Sequence, residues 1–282
     1  MKHLNIYKKE NFNSKSLTSY KNESFNMKPL AIYITEYIIN KKLDAPINSE
    51  GEYHPKTKEE LIKNIKECFN NKRYNLNCID TSKITDMSKL FYNKGDINID
   101  VSKWNVSNVK DMNRMFYNCG DFNCDLSNWD VSKVENMERM FHYCEKFNCD
   151  LSNWNVSKVE NMERMFYYCE KFNCDLSNWN VSKVKNMSYM FYRCENFDCD
   201  LSKWDVSNVE KIDHMFCECR IFIGKGLDNW NISKKVVDMS NMFDGCRKFN
   251  CDLSKWNTKR VKDMRYMFYN CNSLKNKPKW YK

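Results

Sequence analysis

Hydrophobic and polar positions follow two rhythms along this chain, and the pair recurs every 25 residues. The unit reads F-N-C-D-L-S-x-W-x-V-S-x-V-x-x-M-x-x-M-F-x-x-C-x-x, cleanest over 122–146 and 147–171. In its first half Phe122, Cys124 and Leu126, then Trp129 and Val131, alternate with polar residues, which is the period of a half-buried strand. In its second half Val134, Met137, Met140, Phe141 and Cys144 fall at i, i+3, i+6, i+7 and i+10, which is one face of a short helix. Ser132 stands between the halves as an N-cap, with Glu135 three residues on. Ser157 with Glu160 and Ser207 with Glu210 repeat this capping box. Each unit therefore predicts a short strand, a bend and a short helix. Neither half can bury its apolar side alone, so the units must stack.

The register is marked by tryptophan. All eight lie on one ruler, at Trp104, Trp129, Trp154, Trp179, Trp204, Trp230, Trp256 and Trp280. Met-Phe pairs or their equivalents run from Leu90-Phe91 to Met267-Phe268 and give about eight turns. Single-residue insertions fall at Ile223-Gly224-Lys225-Gly226 and Lys234-Lys235-Val236-Val237, where the glycines suggest a bulge. The expected fold is an α/β repeat solenoid: an irregular, right-handed, leucine-rich-repeat-like stack of strand-plus-short-helix turns over residues 72–282. Ahead of it, 29–42 and 57–69 read as helices, the second opened by Thr57-x-x-Glu60 after Pro55. Residues 27–71 are the expected N-terminal helical cap, which hides the open end of the stack. Residues 1–26 are the expected disordered tail.

Composition narrows the function classes. Gly (6) and Pro (4) are too few for collagen or a flexible linker. No apolar run approaches a membrane span, and 1–26 has no apolar core of a secretion signal, so the default expectation is a cytoplasmic chain. The net charge of +9 is spread out, with no like-charged block to mark a nucleic-acid footprint. Of fifteen cysteines, twelve fall in two repeat columns, Cys119 to Cys271 and Cys124 to Cys251. They are read as buried, reduced core thiols. Disulfides or a metal between turns stand as the alternatives.

The pattern W-x-V-S-x-V-x-x-M-x-x-M-F-x-x-C, with the lead-ins His54-Pro55-Lys56-Thr57 and Ile79-Asp80-Thr81-Ser82, resembles the BspA-like leucine-rich-repeat family, also known as a mycoplasma-type domain of unknown function. The resemblance covers about residues 27–282. It implies an irregular short-strand solenoid and, since many members are surface proteins, adhesion or partner binding. Members commonly carry Gln where this chain has Cys124, Cys149, Cys174, Cys199 and Cys251.

Chemistry-bearing residues sort by column. The Asp column (Asp100, Asp125, Asp150, Asp175, Asp200, Asp252) reads as turn residues bonding nearby amides, with cation binding the alternative. None of the four histidines sits beside a nucleophile in a catalytic motif, and no phosphate or dinucleotide loop is present, so no enzyme and no cofactor are expected. The outer helix face remains. Its columns change from copy to copy and are rich in Arg and Tyr, the residues favoured at binding hot spots. The candidate partner-binding residues are Lys89, Arg114, Arg139, Arg164, Tyr117, Tyr167, Tyr189, Tyr192 and Tyr266. The leading expectation is a non-enzymatic scaffold for an unknown macromolecule, most readily a protein. The alternatives are a surface adhesin and, disfavoured by the acids interleaved with the arginines, single-stranded nucleic-acid binding along the Arg/Tyr stripe.

Overall fold

Runs of tight turns, rather than strand and helix, make up each repeat. The computed structural model describes residues 53–281, which lie in the compact unit Ile47–Lys282. The expected tail (1–26) and first cap helix (29–42) lie outside the described residues.

The helix α1, Lys58–Asn70, opens as its sequence requires: the Thr57 side chain accepts from the Glu60 N–H. Its apolar side, Leu61, Ile65 and Cys68, is buried in one cluster with Leu76, Ile79, Ile84 and Met87 of the chain that follows. Lys58 Nζ ties it down by reaching Asp86 at 3.0 Å and Ser88 Oγ at 2.6 Å.

From there each repeat is a chain of β-turns. In one copy the N–H groups of Trp129, Val134, Met140, Cys144 and Phe147 each donate to the carbonyl three residues back. Asp and Asn side chains brace the corners. Asp125 Oδ1 accepts from Ser127 N–H, Asp130 from Ser132 and Asn136 from Glu138. This is the turn chemistry those residues favour.

Two expectations are corrected here. The predicted short helix (Val134–Cys144) is absent: Arg139 and Tyr143 have φ of +55° and +59°, and the same two positions are left-handed in copy after copy. The reason is where the amides go. Alternate N–H groups of Met112, Arg114, Phe116 and Asn118 point out of their own turn and donate to Asn136, Glu138, Met140 and His142 of the next, at 2.7–3.0 Å. A ladder that satisfies every second amide across turns leaves none for the helical i→i−4 pattern. For the same reason Ser132 is no N-cap; its N–H bonds Asp130, and Glu135 N–H donates back one turn to Lys110. The predicted strand over 122–131 is likewise absent. Most of the strand-like contacts are single parallel bridges one turn apart at a different column, running Asp86, Asp111, Asn136, Asn161, Asn186 and Lys211, with Asp238↔Asp263 beyond; Asn75↔Asp100 and Tyr53↔Ile79 are single bridges at the start of the stack. The glycine insertion forms a 3-10 turn, Leu227–Asn229. Gly226 at φ +86° passes so close to Ser202 that no Cβ fits there.

The core explains the tryptophan ruler. Each of the eight indole N–H groups donates to a carbonyl in the preceding turn: Trp129 to Val101, Trp154 to Leu126, Trp179 to Leu151, and so on from Trp104 to Trp280, at 2.7–3.1 Å. That carbonyl already accepts from the main-chain N–H of its own turn's fourth residue, as Leu126 does from Trp129. The indole thus fills the second lone pair of a turn's opening carbonyl. The first cysteine column repeats the device. Cys169 Sγ donates to Phe141 O at 3.0 Å, and that carbonyl also takes the Cys144 N–H.

The second cysteine column works as an acceptor. Leu126, Leu151 and Leu176 N–H groups point at Cys149, Cys174 and Cys199 Sγ at 3.0–3.1 Å. Where the inserted Gly224 stands in that column, the Lys225 carbonyl takes over from the thiol, accepting from Leu201 N–H. All fifteen cysteines are free thiols. Burial raises Cys124 to about 12 and Cys149 to about 11, so both are protonated and unreactive at neutral pH. Phenylalanines fill the remaining interior, stacked from Phe91 through Phe116, Phe141, Phe166, Phe191, Phe216 and Phe243 to Phe268 with centroids 5.4–5.8 Å apart.

Replacing Trp154 by Phe keeps an aromatic in the stack but removes the donor to Leu126. Urea unfolding is expected to show a loss of about 1–2 kcal/mol, one buried hydrogen bond with some lost packing. An unchanged midpoint would mean that the indole bond carries no stability.

Candidate functional site

The variable columns occupy the turn that was read as an outer helix face. They start from the first left-handed position, held by Lys89, Arg114, Arg139, Arg164, Tyr189, His214, Asn241 and Tyr266, all with φ between +54° and +58°. That backbone conformation is uncommon for residues other than glycine, and here the flanking cross-turn ladder imposes it. Three residues on comes a column of rings. Tyr92, Tyr117, His142, Tyr167 and Tyr192 stack face to face with centroids 4.4–4.8 Å apart. One residue further, Tyr143 and Tyr168 lean against this row. Arg193 covers Tyr168 at 4.8 Å and donates to its hydroxyl at 2.9 Å.

The arginines are not free cations. Arg114 Nη2 meets Glu138 at 3.0 Å, Arg139 bridges Glu138 and Glu163 at 2.8 and 2.9 Å, and Arg164 lies 3.7 Å from Glu163. Their side chains retain only 20–32% of their exposure, so the row Arg114–Glu138–Arg139–Glu163–Arg164 is a half-buried ion ladder rather than a set of solvated charges. Networks of this kind hold better than isolated surface pairs. Arg164 also lies over the Tyr189 ring at 4.6 Å, and Tyr189 stacks on His214 at 4.2 Å.

The structure therefore joins eight of the nine sequence-selected residues into one face. Lys89 stands exposed at its first turn, Tyr117 and Tyr167 sandwich His142, and Tyr192 caps Tyr167. Tyr266 stands apart: it is exposed, and its ring meets the Tyr269 ring edge-on. Sequence reasoning passed over His142, Tyr143, Tyr168 and Arg193. The available signal was the adjacency of two aromatic columns, 142 with 143 and 167 with 168, which a helical wheel rotates apart and a left-handed turn brings together.

On this face His142 is strongly perturbed. It is 6% exposed, and its Nδ1 has no hydrogen-bond partner among the described residues. Burial, with Arg139 and Arg164 adding, lowers its imidazole to about 3. Elsewhere, two open depressions lie on another side of the repeats. One of about 420 Å³ is lined by Cys174, Asp175, Cys199 and Asp200, and one of about 600 Å³ by Ile223, Gly224, Gly226 and Cys251.

A family model described as Mycoplasma protein of unknown function, DUF285, matches residues 60–170, 150–234 and 200–282. The chain belongs to this family. The three overlapping matches together span the repeated part of the chain. No curated protein matches the chain. Among the described residues of this DUF285 chain, no helix is long and apolar enough to cross a membrane.

Because His142 holds its proton less tightly folded than unfolded, the unfolded chain binds a proton that the native state rejects between about pH 6.5 and pH 3. The corresponding stability is complete above pH 6.5 and is lost as the pH falls, with a slope of at most about 1.4 kcal/mol per pH unit. His142→Tyr restores the ring found in the neighbouring turns and removes the proton. Denaturant titrations between pH 7 and pH 4 are expected to show a shallower fall in stability for the variant than for the parent chain. Parallel curves would place the acid sensitivity elsewhere.

Proposed function

We propose that the DUF285 repeats of this chain form one solenoid, of the leucine-rich-repeat type that the motif resembles, and that it serves as a non-enzymatic scaffold binding another protein. The observation that carries this reading is the contrast between columns. The buried positions repeat almost unchanged from turn to turn, whereas the Arg/Tyr face changes at nearly every turn and supplies aromatic and guanidinium groups at a rigid surface. Tyrosine contributes large contact area with little side-chain entropy to lose, and pre-stacking the rings reduces that loss further.

The ring geometry favours protein over nucleic acid as the partner. Bases bind by stacking on open aromatic faces. In the Tyr92–Tyr192 row each inner ring already has both faces covered by its neighbours, which leaves edges and hydroxyls outward. The nearby arginines are matched to Glu138 and Glu163 rather than offered to phosphates.

Affinity capture with the full chain, followed by titration of the captured partner, tests the reading. Tyr167→Ala with Tyr192→Ala is expected to weaken that partner by about 2 kcal/mol or more. Lys158→Ala with Lys183→Ala, in another column, is expected to have no effect. Equal affinity for all forms would remove the face from the account. Capture of a nucleic acid with steep salt dependence would remove the protein partner.

A further inference from the structure

The candidate face is antisymmetric in charge about its own aromatic centre. Counting from the Leu90-Phe91 turn, Tyr167 and Tyr168 lie in the fourth turn. Lys89 is three turns before it and Asp244 three turns after; Arg114 is two before and Glu218 two after. On these columns the first three turns carry Lys89, Arg114 and Arg139 against Glu138, and turns five to seven carry Asp213, Glu218 and Asp244 against Arg193. Within these seven turns the two outermost charges are also the least satisfied, while Arg265 of the eighth turn pairs with Asp263. Lys89 is exposed and meets no carboxylate among the described residues. Asp244 is half-buried, and its carboxylate takes no hydrogen bond among the described residues. Burial, with the charge of Glu218 adding, raises its pKa, and only His214 acts in the other direction.

We propose that this face pairs with the same face of a second copy, antiparallel, about a twofold axis through the Tyr167–Tyr168 turn. The proposal rests on the reading above that the face is a docking surface, and it names the partner. A twofold interface is self-complementary: whatever lies a given distance on one side of the axis meets what lies the same distance on the other. At about 4.8 Å per turn, Lys89 and Asp244 each sit about 14 Å from the axis, and Arg114 and Glu218 each about 10 Å. An antiparallel copy therefore sets Lys89 against the partner's Asp244, twice over, and brings Arg114 and Glu218, already paired within their own chain to Glu138 and Arg220, to matching distances. Because Lys89 lies in the Arg164 column and Asp244 in the Tyr167 column, the axis falls between these columns, and at the centre Tyr167 meets the partner's Arg164. A surface evolved for an unrelated partner has no need of this match between equal distances and opposite signs.

Sedimentation equilibrium of the full chain tests it. A dimer with a dissociation constant of about 10 µM or tighter is expected, weakening as salt screens the outer pairs. Lys89→Asp, which seats a residue tolerant of the left-handed conformation, and Asp244→Lys are each expected to weaken it by about tenfold or more. Together in one chain they present each other's charge across the axis, and the affinity is expected to return to within about threefold of the parent. Thermal melting of each variant checks the fold. If Asp244→Lys melts early, Asp244→Asn takes its place and is expected to weaken the dimer without rescue. A monomeric parent chain at about 100 µM overturns the self-pairing while leaving the docking reading to its own capture test. A dimer indifferent to all the variants overturns it by placing the contact on another surface.

Discussion

Everything in this molecule depends on a carbonyl with two lone pairs. A β-turn uses one of them internally; the other faces the next turn and, in a dry core, costs free energy if left empty. The DUF285 repeat fills it with an indole N–H at one corner and a thiol at another, both from the turn that follows. Tryptophan and cysteine are therefore placed for what they donate as much as for what they fill. The adjacent ladder of main-chain bonds sets the register, and the side-chain donors lock it. Repeats with almost no regular secondary structure among the described residues can in this way bury an unbroken column of phenylalanines without orphaning the backbone around it.

The sequence disclosed the unit and its period but not the local conformation within it. The 25-residue ruler, the inward set from Trp129 to Cys144 and the helix opened by Thr57 are all legible, because burial needs specific residues at fixed intervals. The step from Val134, Met137, Met140, Phe141 and Cys144 to a helix fails because three- and four-residue spacing is equally the spacing of consecutive tight turns. What separates the two is the destination of the amides, which depends on a neighbour 25 residues away. A quieter local clue was present: the second left-handed column holds Asn93, Asn118, Gly245 and Asn270, residues that tolerate positive φ.

The same misreading bears on the candidate face. A helix would have carried Arg139, His142 and Tyr143 on one face as solvated groups. The left-handed turn instead stacks the rings and sinks the arginines against Glu138 and Glu163. The residues chosen from sequence thus lie largely on one face, with a different character: a rigid, internally paired surface. Rigidity of this kind lowers the entropy lost on docking and raises the demand for a partner of matching shape and charge.

Hydrogen exchange of the tryptophan indoles, followed by nuclear magnetic resonance under native conditions, tests the central claim most directly. If each indole N–H closes a carbonyl of the preceding turn, the interior resonances from Trp129 to Trp256 exchange only when turns separate. Their protection then approaches that of the main-chain amides of the cross-turn ladder. Indole protons that exchange freely while the ladder amides stay protected would contradict the account. They would reduce the tryptophan ruler to a packing pattern.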